Sequence, residues 1–135
     1  MIKFTVLGVP TAKGRARSFN GRHLTPAKTK HTENDFRAQA ILQHRPEKPH
    51  EVPVRLDVEF YMPIPASYTK KRKKAIAEGL ELPAKKPDLD NLVKLVKDAL
   101  NEVYWNDDCQ VVEVHAKKLY GEQPRTEVKI SEVRG

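Results

Sequence analysis

A chain of 135 residues with 39% hydrophobic and 32% charged side chains is long enough for one domain and too apolar to be disordered. No apolar run approaches the roughly 18 residues that a membrane-spanning helix needs, and the single cysteine, Cys109, cannot form an internal disulfide. These features exclude a membrane span and a disulfide scaffold, and they favour one cytoplasmic domain over residues 1–135.

The formal net charge of +7 is unevenly distributed along the chain. Residues 1–87 contain 18 lysines and arginines against 8 acidic residues, whereas residues 88–135 contain 7 against 10. A strongly basic segment is typical of a protein that binds a polyanion. The acidic segment needs a different explanation.

The first elements of the chain are predicted to be a strand, a basic ribbon and a helix. Residues 3–9 are rich in β-formers and predict a strand. Residues 10–24 predict a basic loop or ribbon, in which the Asn-Gly pair at 20–21 indicates a type I′ hairpin turn. The Thr-Pro pair at 25–26 is typical of a helix start, and the helix is expected to continue to about Gln43.

The middle of the chain predicts a strand followed by a basic helix. Residues 54–62 alternate hydrophobic and polar side chains, which is typical of a half-buried strand. Residues 67–79 predict a second helix that is capped by Ser67, ends at Gly79 and carries the run KKRKK at 70–74. That run is either a solvated helix face or a contact with DNA.

A third helix, over residues 89–103, has the clearest pattern in the sequence. Its apolar residues recur at i, i+3, i+4, i+7, i+8 and i+11 and form one stripe, made of Leu92, Leu95, Val96, Ala99, Leu100 and Val103. Residues 109–119 and 126–133 predict two closing strands. The order β-α-β-α-α-β-β therefore predicts an α/β (α+β) fold, a single small domain with a mixed sheet and helices.

Acidic residues cluster at the beginning of the third helix and again after its end. Asp88 and Asp90 lie at the helix entrance, and Asp90 shares a helix face with Lys94, opposite the apolar stripe. Asp107 and Asp108 follow where a turn enters a strand. If that strand pairs near the helix start, three carboxylates would converge, which is costly unless a cation neutralises them. Oxygen ligands favour Mg²⁺ or Mn²⁺ over zinc.

These residue types suit the hydrolysis of a phosphodiester. A lysine four residues after a metal-binding aspartate can stabilise the charge that develops on phosphate, and a bound metal lowers the pKa of the attacking water. A metal-dependent nuclease requires a carboxylate cluster within a basic chain. A simple DNA-binding protein does not.

Two linked motifs, D-L-D-N-L-x-K from residue 88 and W-x-D-D-x-Q-V-V from residue 105, resemble the RusA family of Holliday junction resolvases. The match is densest over residues 85–115, although the layout of elements is similar across nearly the whole chain. The resemblance implies a homodimer that acts in DNA recombination and repair, in bacterial chromosomes or prophages. It would nick four-way DNA junctions symmetrically with Mg²⁺ or Mn²⁺.

The resemblance also implies roles for individual residues. By position, the metal-binding and catalytic aspartates are Asp88, Asp90 and Asp108, and the catalytic lysine is Lys94. The resemblance leaves Asp107 as the turn residue. The residues in the positions of the family's DNA contacts are Lys13, Gly14, Arg15, Arg17, Lys85, Lys86 and Asn91.

Other interpretations remain open from the residues alone. Asp88 and Asp90 can cap and charge the start of a helix, and Lys94 can be an ordinary i,i+4 partner of Asp90. The whole chain can also be a non-catalytic protein that binds branched DNA. A further alternative is a nuclease of the same fold that acts on flaps, nicks or RNA structures, because phosphate contacts carry little information on shape.

Overall fold

A computed structural model of the chain describes residues 1–12, 17–19, 22–24 and 27–134, with the side chains described for 1–12 and 31–134. The helices are α1 (Ala27–Gln43), α2 (Lys70–Ala77) and α3 (Leu89–Leu100). The strands are β1 (Ile2–Leu7), β2 (Arg17–Phe19), β3 (Arg22–Leu24), β4 (Val54–Pro63), β5 (Val111–Gly121) and β6 (Arg125–Glu132). None of the described helices is long and apolar enough to cross a bilayer.

The main sheet has four strands in the order β1-β6-β4-β5. The strand β6 is antiparallel to both of its neighbours, whereas β4 and β5 are parallel, so the sheet is mixed as predicted. Burial alternates strictly along β4, which confirms the predicted half-buried strand. The buried face of the sheet shares one apolar core with residues of α1 and α3. The fold is therefore α+β, in agreement with the prediction.

The apolar stripe of α3 is buried as predicted, but the helix is shorter than expected. Its apolar residues through Leu100 are buried, and Arg37 Nε of α1 donates a hydrogen bond to the Ala99 carbonyl at 2.8 Å. The predicted end at residue 103 is wrong, because the backbone leaves the helical region at Asn101, whose ψ is 141°, and Glu102 follows with a φ of 69°. Val103 still packs against the core from the turn that follows the helix.

Two other predicted boundaries are wrong for reasons of capping. The helix α2 begins three residues later than predicted, because the cap is Thr69 rather than Ser67, and the Thr69 side chain accepts a hydrogen bond from the Arg72 amide. Its predicted end at Gly79 is confirmed by a φ of 75° at that glycine. The strand β5 begins at Val111 rather than 109, because a short 3-10 helix, Asp108–Gln110, precedes it.

The basic ribbon is only partly described. Strands β2 and β3 pair antiparallel, as a hairpin requires. The Asn-Gly turn at 20–21 and the Thr-Pro helix start at 25–26 lie outside the described residues. The helix α1 ends at Gln43, as predicted.

Candidate active site

The entrance of α3 presents two exposed carboxylates, Asp88 and Asp90. Asp88 occupies the N-cap position with an extended backbone (φ −68°, ψ 143°), yet its side chain makes no capping hydrogen bond. Asp90 lies in the first turn, where a negative charge interacts favourably with the helix dipole. Both side chains are exposed, and neither forms a hydrogen bond or ion pair within the described residues. Capping therefore does not explain Asp88.

A lysine of β5 fixes the backbone just before this entrance. The Lys118 ammonium donates hydrogen bonds to the Lys85 carbonyl at 2.8 Å and to the Pro87 carbonyl at 2.9 Å. Bonds from a charged donor are stronger than neutral ones, so this contact ties the loop before Asp88 to the sheet.

The second acidic motif is held by the turn after α3. The fully buried Trp105 donates a hydrogen bond from Nε1 to Asp108 Oδ1 at 2.9 Å, which orients that carboxylate. Asp107 instead caps the 3-10 helix by accepting a hydrogen bond from the Cys109 amide at 3.1 Å. The neighbouring acids thus have different roles, and Asp107 is the turn residue, as predicted.

Gln110 holds this turn against the rest of the protein. Its side-chain oxygen accepts hydrogen bonds from the Asn106 and Asp107 amides, at 2.8 and 2.9 Å. Its side-chain nitrogen donates to the carbonyls of His50 and Val52, on the connector that precedes β4. The turn that carries Asp108 is therefore anchored at both ends.

A shallow cavity of about 310 Å³ along the exposed face of α3 brings several of these groups together. It is lined by Asp90, Val93, Lys94, Lys97, Asp98 and Asp108. The predicted shared face of Asp90 and Lys94 is thus confirmed, and Asp108 faces the same space. Asp88 is not among the lining residues.

The expected convergence of three carboxylates is not formed in this structure. Among the described residues, no three His, Cys, Asp or Glu side chains are close enough to hold a metal ion together. Asp88 is the N-cap of α3 and lies outside the cavity, whereas Asp90 and Asp108 both line it.

The aspartates of this site differ from the acids on the outer face of the sheet. There, Arg55 binds Asp57 at 2.9 Å and Arg125 approaches Glu127 at 3.3 Å. The hydrogen bond from Arg55 holds the pKa of Asp57 below its usual range. In a chain with 25 lysines and arginines, Asp90 has no such partner in the described part of the structure.

Lys94 is also without an ion pair. Its side chain is exposed and forms no salt bridge with any described acid, so it is not acting as the i,i+4 partner of Asp90. The ammonium lies one turn after Asp90 on the same cavity and is available to an external anion.

The predicted DNA-binding residues fall in two places. Lys85 and Lys86 are exposed immediately before the α3 entrance, and Asn91 is half-buried in its first turn. Lys13, Gly14 and Arg15 lie outside the described residues, and Arg17 lies in β2 without a described side chain. Their contact with DNA stays a prediction.

Sequence reasoning missed the supporting residues of the site. Gln110 is part of the second motif, and its place in that motif could have identified it as a site residue. Lys118 is one of two adjacent lysines in a strand, and its contact lies 31 residues away along the chain, so no local pattern indicates it. The hydrogen bond from Trp105 to Asp108 was also missed, although Trp105 is the first residue of the second motif.

Comparison with known proteins agrees with this arrangement. Residues 8–131 match the family described as Endodeoxyribonuclease RusA. The chain is 48% identical over 138 residues to an uncharacterized protein, YqaN, of Bacillus subtilis (strain 168), covering 98% of this chain and 96% of that one. It is 30% identical over 129 residues to the crossover junction endodeoxyribonuclease rusA of Lactococcus phage r1t, covering 93% of this chain and 86% of the phage protein. With the match spanning both acidic motifs and nearly every element of the fold, this chain belongs to the RusA endodeoxyribonuclease family.

Proposed function

We propose that this protein is a Mg²⁺-dependent, homodimeric endodeoxyribonuclease that resolves four-way DNA junctions by paired symmetric nicks. Its family and the name of the phage relative support a nuclease that acts on crossover junctions. One feature of the site carries the chemical proposal: Asp90, Asp108 and Lys94 line a single cavity, and neither carboxylate has an ion-pair partner among the described residues. Because the substrate is DNA, we also propose a bacterial cytoplasmic location.

The oxygen ligands at this site fit a small hard cation. Mg²⁺ is often bound by only one or two carboxylates, with water molecules and a substrate phosphate completing its octahedral shell. Two aspartates on one cavity meet that requirement without a preformed set of three ligands. Asp88 is the third ligand that we propose, because its carboxylate has no capping bond. Bound Mg²⁺ or Mn²⁺ supplies an activated water and neutralises charge on the phosphate.

The protein groups then have distinct tasks. Trp105 holds Asp108 through Oδ1, so Oδ2 is the oxygen that remains for another partner. Lys94 binds a non-bridging oxygen of the scissile phosphate and stabilises the charge that grows there. Lys85 and Lys86 bind neighbouring phosphates, which position the DNA without reading its sequence.

One assay with four substrates tests this function. A four-way DNA junction, a DNA flap, a linear duplex and an RNA hairpin are incubated with Mg²⁺, with Mn²⁺ or with EDTA. We expect paired symmetric nicks in the junction, only with metal, and no cutting of the duplex. Preferred cleavage of the flap or the RNA would show a nuclease of different specificity. Binding of the junction without any cleavage would show a non-catalytic binding protein.

The homodimer rests on substrate symmetry. A four-way junction offers two equivalent strands, and a C₂ dimer presents one site to each. The edge strand β5 pairs only with β4 in the described structure, and it exposes Val112 and Val114, with 55% and 42% of their surface accessible. We propose this uncovered edge as the dimer contact, since an open strand is a template for pairing with a second copy.

Sedimentation measures this directly. The wild-type protein is expected to be a dimer at micromolar concentration, and the double variant Val112→Lys/Val114→Lys is expected to be a folded monomer. A wild-type monomer, both with and without junction DNA, would refute the dimer. A dimeric double variant would refute the β5 contact alone.

A further inference from the structure

The helix α2 is capped by Thr69 and followed by Gly79, but it lacks a buried apolar face and an acid in its first turn. None of its eight residues is buried, whereas most helices in proteins gain stability by packing an apolar face. Its first turn contains no acid and begins with Lys70 and Lys71, which places positive charge at the positive end of the helix dipole. Lysines at i, i+3 and i+4 also repel one another along this helix.

One of the five consecutive cations in α2 has structural partners. Arg72 Nε lies 2.7 Å from Glu81 Oε1, and its guanidinium carbon lies 3.6 Å from the centre of the Tyr68 ring. Tyr68 in turn packs edge-to-face against Tyr120 of β5, with ring centres 6.3 Å apart. Arg72 therefore anchors the helix to the sheet.

The other four cations make no such contacts. Lys70, Lys71, Lys73 and Lys74 are exposed, and within the described residues none of their ammonium groups forms a hydrogen bond or an ion pair. Within the described residues, four charges on this helix are thus unneutralised, and those of the first turn oppose the helix dipole. A polyanion bound along the helix would neutralise them and remove this cost.

The anchor places α2 on the same side of the protein as the loop that leads into α3. Tyr68 and Tyr120 border one cavity together with Lys85 and Lys86. Tyr120 is two residues along β5 from Lys118, which holds the carbonyls before Asp88. The α2 lysines therefore extend the basic surface that leads to the α3 entrance.

We propose that α2 is a phosphate-binding arm, in which Lys70, Lys71, Lys73 and Lys74 contact the sugar–phosphate backbone of a junction arm beside the cleaved strand. The helix is about 12 Å long, and successive phosphates of one strand are spaced about 3.4 Å along the duplex axis, so a helix parallel to that axis spans about three to four of them. Lysine acts as a point charge towards phosphate. The arm strengthens binding to any sequence. This inference rests on the proposed DNA substrate.

The salt dependence of junction binding tests the arm without any cleavage step. Junction affinity is measured by fluorescence anisotropy, without divalent metal, as a function of KCl concentration. The double variant Lys71→Gln/Lys74→Gln is expected to reduce the slope of log affinity against log salt by about 1.8. The ratio of the wild-type affinity to the variant affinity would then fall about tenfold when the salt concentration rises about fourfold. Its Tm should equal or exceed that of the wild type, because a repulsive pair is removed.

A matched control separates the arm from net charge. Lys3→Gln/Lys48→Gln removes the same two charges from exposed positions outside α2, β5 and the α3 entrance and is expected to keep the wild-type slope. Equal slopes for the two double variants would overturn the proposal. If the wild type binds the junction without ever cleaving it, and only the α2 variant has a lower salt slope, the arm stands and the proposed nuclease function fails. If cleavage is normal and the α2 variant keeps the wild-type slope, the proposed nuclease function stands and the proposed arm fails.

The anchoring role of Arg72 has its own readout. Arg72→Gln is expected to lower the slope by more than Lys71→Gln alone, because it releases the whole arm rather than one phosphate contact. Faster amide hydrogen exchange in residues 70–77 should accompany this change. Equal slopes and equal exchange in the two single variants would overturn that role.

Discussion

Replacing Asp90 or Asp108 with asparagine is expected to reduce junction cleavage by about 10³-fold while the protein still folds and binds the junction. The proposed metal would supply several kcal/mol of charge stabilisation, and about 1.4 kcal/mol corresponds to a tenfold change in rate. Asparagine keeps the shape of the side chain but removes the negative charge that holds the cation. The measurement is the single-turnover rate on a four-way junction at saturating protein.

Folding is expected to survive both substitutions. Asp90 is exposed, and its structural contribution is its charge at the start of α3, worth about 0.3–1 kcal/mol. In Asp108→Asn, the new amide side chain keeps an oxygen that can accept the hydrogen bond now given by Trp105. Junction affinity without metal should stay the same or increase, because each substitution removes repulsion between a carboxylate and the DNA phosphates.

The adjacent acid provides the matched control. Asp107→Asn removes the same charge one residue away, and asparagine is as good a cap as aspartate for the 3-10 helix. Its cleavage rate should remain close to that of the wild type. Normal cleavage by Asp90→Asn would contradict the proposed site. An equal loss of cleavage in Asp107→Asn would show that the rate responds to the loss of any nearby negative charge rather than to the loss of a metal ligand.

The fold could be predicted where local pattern and packing agree. The stripe from Leu92 to Leu100 and the alternation of β4 are each produced by burial of one face, and both are confirmed. Boundaries depended instead on single backbone conformations. The extended ψ of Asn101 ends α3 early, and the side chain of Thr69 outcompetes Ser67 as the cap of α2.

The candidate site was predictable as a set of residue types but not as a geometry. The motifs indicated Asp90, Lys94 and Asp108, which line one cavity. They did not indicate that Asp88 would lie outside it, because that depends on how the turn after α3 is attached to the connector before β4. Gln110 makes this attachment through contacts 58 and 60 residues distant, which no local pattern reveals.

Replacing Lys118 with methionine is expected to raise the Mg²⁺ concentration needed for half-maximal cleavage by about 10–100-fold, the usual effect of losing a group that supports a metal ligand. The ammonium now bonds the Lys85 and Pro87 carbonyls, and Pro87 directly precedes Asp88. Methionine retains an unbranched side chain of similar size but cannot donate a hydrogen bond to these carbonyls. The loop that positions the Asp88 carboxylate is then free to move, so part of the free energy of metal binding is lost in ordering it.

The neighbouring lysine separates this effect from loss of charge. Lys117 is exposed and lies in register with Glu59, on the opposite face of the sheet from Lys118, so Lys117→Met should leave the Mg²⁺ dependence unchanged. Amide exchange in residues 85–91 should quicken in Lys118→Met alone, and Lys118→Arg should restore part of the metal dependence because guanidinium also donates. An unchanged Mg²⁺ midpoint in Lys118→Met, or the same shift in Lys117→Met, would contradict this role of Lys118.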